Sequence, residues 1–222
     1  MFQSLRLFLV VAIGLGLMTL ISASDLRMPG NDRGYSPEQP IAFSHRLHAG
    51  ELKMDCLFCH YGARKSRHAG IPPVELCLNC HLHVKANLDD IFLEKAAAEA
   101  EGREERPLLS SEIEKIYQAA GINADGEPLE GQLAESIPWV RIHRLPDHVY
   151  FDHRVHVAGG VACQSCHGPV QAMERARQEH SLSMGWCMDC HRQTKRSTLP
   201  GDGASNDPGA TNPSVDCAVC HY

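Results

Sequence analysis

The apolar pattern of the chain is strongest at its N-terminus, where Arg6 is followed by seventeen uncharged, mostly aliphatic residues at 7–23 and then by Ser24-Asp25. A basic flank, an apolar stretch and small residues near Ala23 satisfy an export signal. The run also reaches the lower limit for a spanning helix. A retained transmembrane helix within an anchor at residues 1–24 is the expectation, with Arg6 on the inner flank. Further along, residues 87–103 are rich in Ala, Glu, Leu and Lys, and residues 110–120 open with Ser-Ser-Glu-Ile-Glu, a capping serine before an acidic first turn. Two helices with a break near Pro107 are expected there, and a solvated linker and a docking arm for another subunit are both open readings. Stretches containing Gly, Asn and Pro at 121–131 and 199–213 read as surface loops. Strand signal is nearly absent, so the fold class is mostly α and irregular.

This pattern leaves modest apolar material for a core, since aromatic residues are 6% of the chain against 18 Gly and 13 Pro. The cysteines change the picture. All ten lie in five copies of Cys-x-x-Cys-His, at Cys56/Cys59/His60, Cys77/Cys80/His81, Cys163/Cys166/His167, Cys187/Cys190/His191 and Cys217/Cys220/His221. The pentapeptide is the attachment signature of c-type haem: the thiols form thioethers to the vinyl groups, and the adjoining histidine becomes the proximal iron ligand. Zinc sites also use Cys-x-x-Cys pairs, but they do not require histidine directly after the second cysteine. A disulfide framework explains the histidines no better. Five covalently attached haem c groups are therefore expected, with the chain wrapped around them and the macrocycles forming much of the core.

The formal net charge of −6 becomes more negative once haem propionates are added, which argues against nucleic acid as a partner. Thioether attachment requires a thiol-maintaining system on the outer face of a bacterial inner membrane. The expected location is thus the cell inner membrane, single-pass, with the haem domain on the periplasmic side. No cysteine precedes Cys56, so no lipidation site competes with the anchor.

An internal repeat divides the remaining chain. Phe43-Ser-His45-Arg-Leu-His48 matches Phe151-Asp-His153-Arg-Val-His156 at an offset of 108 residues, and each copy precedes a haem motif. Residues 25–86 form a first dihaem module, 87–138 a helical insert and 139–222 a trihaem module. Fourteen histidines less five proximal ones leave nine, more than the five needed to close every iron with a second strong ligand. In His45-x-x-His48 and His153-x-x-His156, the i, i+3 spacing places two imidazoles on one side of a turn while splaying their directions, so one turn can serve two haems. For the fifth distal position, His68 and Met184 are the candidates and His143 the reserve; a thioether from Met184 would raise the potential of its haem.

The Phe-x-His-x-x-His segments ahead of Cys-x-x-Cys-His resemble those of the small class III multihaem cytochromes c. That resemblance implies that His45 serves the haem of Cys56 and Cys59, that His153 serves the haem of Cys163 and Cys166, and that His48 and His156 cross to other haems. Trp139-Val-Arg-Ile-His-Arg-Leu-Pro-Asp-His-Val-Tyr-Phe-Asp-His-Arg-Val-His156, continuing through Gly160-Val-Ala-Cys-Gln-Ser-Cys-His-Gly168, is similar to the pentahaem cytochrome subunit of bacterial alternative complex III. Ala69-Gly-Ile-Pro-Pro before Cys77 and Met184-Gly-Trp before Cys187 are similar to it too. The resemblance implies a subunit that carries electrons from a quinol-oxidising membrane complex to a periplasmic acceptor within a respiratory or photosynthetic chain. Its implied partners are integral membrane quinol-handling subunits, an iron–sulfur-bearing subunit, and a monohaem cytochrome or soluble periplasmic electron carrier. A stand-alone anchored donor to a terminal reductase is the alternative. No motif histidine is replaced and no catalytic arrangement stands out, so an electron-transfer subunit rather than an enzyme in its own right is expected.

Overall fold

The computed structural model describes residues 9–16, 32–193 and 213–222. Most of the expected anchor and nearly all of the 199–213 stretch lie outside these residues. Residues 9–16 are helical, and among the described residues no helix is long and apolar enough to cross a membrane. Helices and irregular segments make up the described chain; pairing is confined to two isolated bridges, Ile122 with Pro128 and Val149 with His221.

Five helices organise the fold. Helix α1 (Val74–His81) starts directly after Pro72-Pro73, where a fixed proline φ suits helix entry. In α2 (Leu88–Glu101), the Asn87 side chain accepts from the Asp90 N–H, two aspartates sit in the positive first turn, and Gly102 ends the helix at φ 62°. In α3 (Ser111–Ala120), Ser110 caps the Ile113 N–H and Gly121 stops the helix at φ 70°. The other two are α4 (His153–Ala158) and α5 (Met184–Gln193).

The insert is docked rather than free. Helix α3 packs on α1, so Ile116 joins Ile41 and Val74 in a small core flanked by Cys77, Leu78, Ile113 and Trp139. The buried Tyr117 hydroxyl donates to the carbonyl oxygen of His81 at 2.8 Å, tying the insert to a haem motif. Tyr117→Phe removes that bond and leaves the carbonyl short of a partner, so a loss of about 1 kcal/mol of unfolding free energy is expected in a denaturant titration. On α2, by contrast, Leu88, Phe92 and Leu93 stay exposed. Its far end is held by Arg103, whose guanidinium keeps the Glu94 carboxyl down at about 2.

The two repeat halves interlock. A π-helical turn, Arg46–Glu51, carries the first repeat and packs against the 3-10 turn Val170–Ala172 beyond His167. Helix α4 carries the second repeat and packs against the 3-10 turn Tyr61–Arg64 beyond His60. Arg46 N–H donates to Met173 O at 2.9 Å, and His153 N–H donates to Arg67 O at 3.3 Å. Each half's histidine turn is therefore seated on the segment following the other half's first haem motif. The approach is close: a Cβ on Gly50 would lie 2.2 Å from Gln171 O, so only glycine fits there.

Candidate haem-binding site

Each Cys-x-x-Cys-His motif lies on or at the end of a helical turn. Cys56–Cys59, Gln164–His167 and Cys217–Cys220 are single turns, and the other two motifs sit on α1 and α5. Cysteines three apart on a turn present both thiols to one side, as two thioethers to one macrocycle require. No disulfide joins any two of the ten cysteines. Asp55 and Asp216 start two of the turns by accepting the N–H groups of Leu57 and Ala218.

The histidines share a hydrogen-bond pattern. Nδ1 of His60 donates to Gly70 O at 2.6 Å, His81 to Val84 O at 2.9 Å, His191 to Ser214 O at 2.7 Å and His221 to His148 O at 3.3 Å. His48 donates to Ser44 O, His156 to Asp152 O and His153 to Arg67 O, each at 2.8 Å. A carbonyl only accepts, so Nδ1 carries the hydrogen in all seven and Nε2 keeps its lone pair for a metal. This is the outer-shell arrangement that fixes tautomer and orientation in metal-bound histidine. His167 Nδ1 faces His143 Nε2 at 3.2 Å, and His45 Nδ1 is buried without a hydrogen-bond partner.

Ring spacing pairs these side chains. The centres of His48 and His81 are 6.2 Å apart, of His153 and His167 6.4 Å, and of His156 and His191 6.1 Å. Two imidazoles on opposite sides of one ion, each with a metal–nitrogen bond of about 2 Å and a ring centre about 1 Å behind its nitrogen, stand about 6 Å apart. His45 adjoins His60. Burial and then the neighbouring His60 and His48 push its imidazole down to about 4. His167 is pushed down to about 4 as well, by burial first and then by His143, His153, His60 and His45. Burial also lowers His143 and His156. Neutral imidazoles are the form a metal takes.

The repeated phenylalanine packs on both histidines of each turn. Phe43 stacks on His48 at 4.3 Å and meets His45 edge-on at 4.9 Å. Phe151 stacks on His156 at 4.7 Å and meets His153 edge-on at 4.8 Å.

The thiols show which motifs are neighbours. Cys56 neighbours Cys163, and Cys59 lies near Cys77 and Cys80. Burial pushes Cys166 up to about 11, with Cys190 and Cys187 adding to the shift, and Cys187 is also raised by Cys220. In space the motifs follow the order Cys77, Cys56, Cys163, Cys187, Cys217.

The remaining histidines and Met184 lie outside these ring pairs. His68 and His83 are exposed, Met184 is 62% exposed at the start of α5, and His180 stacks on Trp186 at 5.1 Å. The ring of His148 stacks on His221 at 5.5 Å, while its carbonyl receives the His221 Nδ1 hydrogen, so His148 lies on the side away from Nε2. The backbone acceptors Gly70, Val84, Arg67 and Ser214 escaped the sequence reading because a carbonyl carries no residue-type signal.

The residues fit a c-type haem: paired thiols on one turn, histidines with Nε2 free, and exposed apolar side chains such as Phe58, Ile71, Val155 and Val219 close to the motifs in sequence. Among the described residues no three His, Cys, Asp or Glu side chains converge on a point where a bare metal ion could sit. Fold and site together define a multihaem c-type cytochrome, an electron-transfer protein. Residues 149–222 match the profile of the family "Cytochrome c7 and related cytochrome c". The chain is also 24% identical over 204 residues, 83% of its length and 77% of the relative's, to the menaquinone reductase multihaem cytochrome c subunit of Nitratidesulfovibrio vulgaris.

Proposed function

We propose that the chain is a pentahaem electron conduit that takes electrons from a quinol-oxidising membrane complex similar to alternative complex III and delivers them to a periplasmic acceptor. The observation that carries this reading is the set of imidazole pairs 6.1 to 6.4 Å apart, which leaves the irons they hold without an open position. Bound haem supplies reversible one-electron storage at each motif. The protein's part is to hold it. Cys56/Cys59, Cys77/Cys80, Cys163/Cys166, Cys187/Cys190 and Cys217/Cys220 would hold it through thioethers, and His60 with His45, His81 with His48, His167 with His153, and His191 with His156 would supply the iron's imidazoles. His68 and Met184 are the candidates for the one second ligand left unpaired, at His221. Residues 1–24 serve as a single inner-membrane anchor, with the haem domain in the periplasm. Integral quinol-handling subunits, an iron–sulfur-bearing subunit and a monohaem or soluble carrier are the partners.

The named role of the relative, a menaquinone reductase subunit, supports a quinone-handling membrane complex as the setting. It also favours a second reading, in which electrons run the other way, toward menaquinone. Ligand closure predicts fully low-spin ferric spectra that carbon monoxide and nitrite leave unchanged; a high-spin fraction that binds carbon monoxide overturns it. Mild solubilisation is expected to bring the chain out with large integral subunits, and a monomer retaining full donor activity would remove the complex assignment. Reduction of the haems by menaquinol in that preparation, against oxidation of the reduced haems by menaquinone, decides the direction.

A further inference from the structure

Four described motif histidines give their Nδ1 hydrogen to a backbone carbonyl, an acceptor whose strength no side-chain substitution at that position alters directly. His167 differs: its Nδ1 meets a side chain, Nε2 of His143, at 3.2 Å. We propose that His143 is a positioning residue that accepts the His167 Nδ1–H and holds down the reduction potential of the haem at Cys163 and Cys166. The inference rests on the reading that His167 binds that haem iron.

The geometry separates this role from iron ligation. Ring centres 4.4 Å apart at an interplanar angle of 80° are too close to bracket an ion, and the contact reaches His167 through Nδ1, leaving its Nε2 for the iron. Since Nε2 of His167 is committed to iron, its ring hydrogen is on Nδ1. His143 must then accept through Nε2 and carry its own hydrogen on Nδ1.

His143 is delivered by an anchored segment. Gln39 clamps Val140 from both sides, its amide donating to Val140 O at 2.9 Å and its carbonyl accepting from Val140 N–H at 2.8 Å. Arg141 Nε then donates to His143 O at 3.0 Å. An acceptor on Nδ1 raises the basicity of the ligating imidazole, which favours ferric iron. The motif concerned is the third of five in the spatial order and adjoins the first half through Cys56 and Cys163, so its potential governs the step between them.

The test uses the full-length holoprotein purified from membranes, with His143→Leu and His143→Gln compared by potentiometric titration followed by ferric EPR. For the Leu variant, one haem is expected to shift upward by about tenfold in its ferrous-to-ferric ratio at fixed potential, about 59 mV for a one-electron couple. Its EPR signature moves while haem content and the other potentials hold. Gln, whose amide oxygen can accept the same hydrogen, is expected to restore the original value. Unchanged potentials in the Leu variant overturn the proposal, and so does a new high-spin, carbon monoxide-binding haem, which would make His143 an iron ligand. Should the Leu variant fail to assemble, His143→Asn, too short to reach Nδ1, supplies the same contrast with Gln. His167→Ala separates the underlying reading: if that variant keeps every low-spin signal, His167 is not a ligand and the assignment of this haem fails first.

Discussion

Replacing Cys163 and Cys166 with alanine is expected to stop electron passage between the two halves, lowering its rate by orders of magnitude, while the same change at Cys217 and Cys220 spares it. The reason lies in the spatial order of the motifs. Cys56 neighbours Cys163, and His167 lies close enough to His60 and His45 to feel their charge. The other thiol contacts stay within one half: Cys59 with Cys77 and Cys80, and Cys166 with Cys187 and Cys190. Removing the Cys163 site thus opens a gap that no other motif bridges, whereas removing a terminal site only shortens the row. Stopped-flow reduction resolving haems of the first half from those of the second measures the difference. Equal loss in both variants would mean that the order is branched rather than linear. Haem staining and pigment quantitation check that the central variant keeps the remaining groups.

A second large effect is expected at His48. Its ring faces His81 across 6.2 Å, is stacked on Phe43 and is aimed by an Nδ1 bond to Ser44 O. In His48→Met, a thioether replaces an imidazole as the second ligand, and one potential should rise on the order of 0.1–0.2 V, within the roughly 0.8 V span that axial ligands control. His48→Ala instead leaves one face open and should yield a high-spin, carbon monoxide-binding haem. The exposed His83 lies two residues from the same proximal ligand and serves as the control, since His83→Ala should leave every potential where it was. If His48→Met leaves all potentials unchanged, the pairing of His48 with His81 is wrong.

The attachment chemistry was legible because it is local. Cys-x-x-Cys-His needs only one turn of helix to gather two thiols and a ligand, and Phe-x-His-x-x-His needs only one more to splay two imidazoles around a ring. The caps of α2 and α3, at Asn87 and Ser110, were similarly near their helices. His143 shows where such reasoning stops. From spacing it was a spare ligand, but its place against Nδ1 of His167 depends on Gln39, about a hundred residues away, gripping Val140. Met184 and His68 also drew notice by distance along the chain, and both are exposed in the described structure.

What the sequence determined by itself was the cofactor chemistry, the supply of imidazoles and the duplication, all written within stretches of six residues or fewer. The tertiary structure decided which imidazole faces which and which motifs are neighbours. The physical reason is that each histidine turn is seated on the other half of the molecule, through Arg46 with Met173 and Glu174 and His153 with Arg67, so each turn's position is set by contacts 86 to 128 residues away.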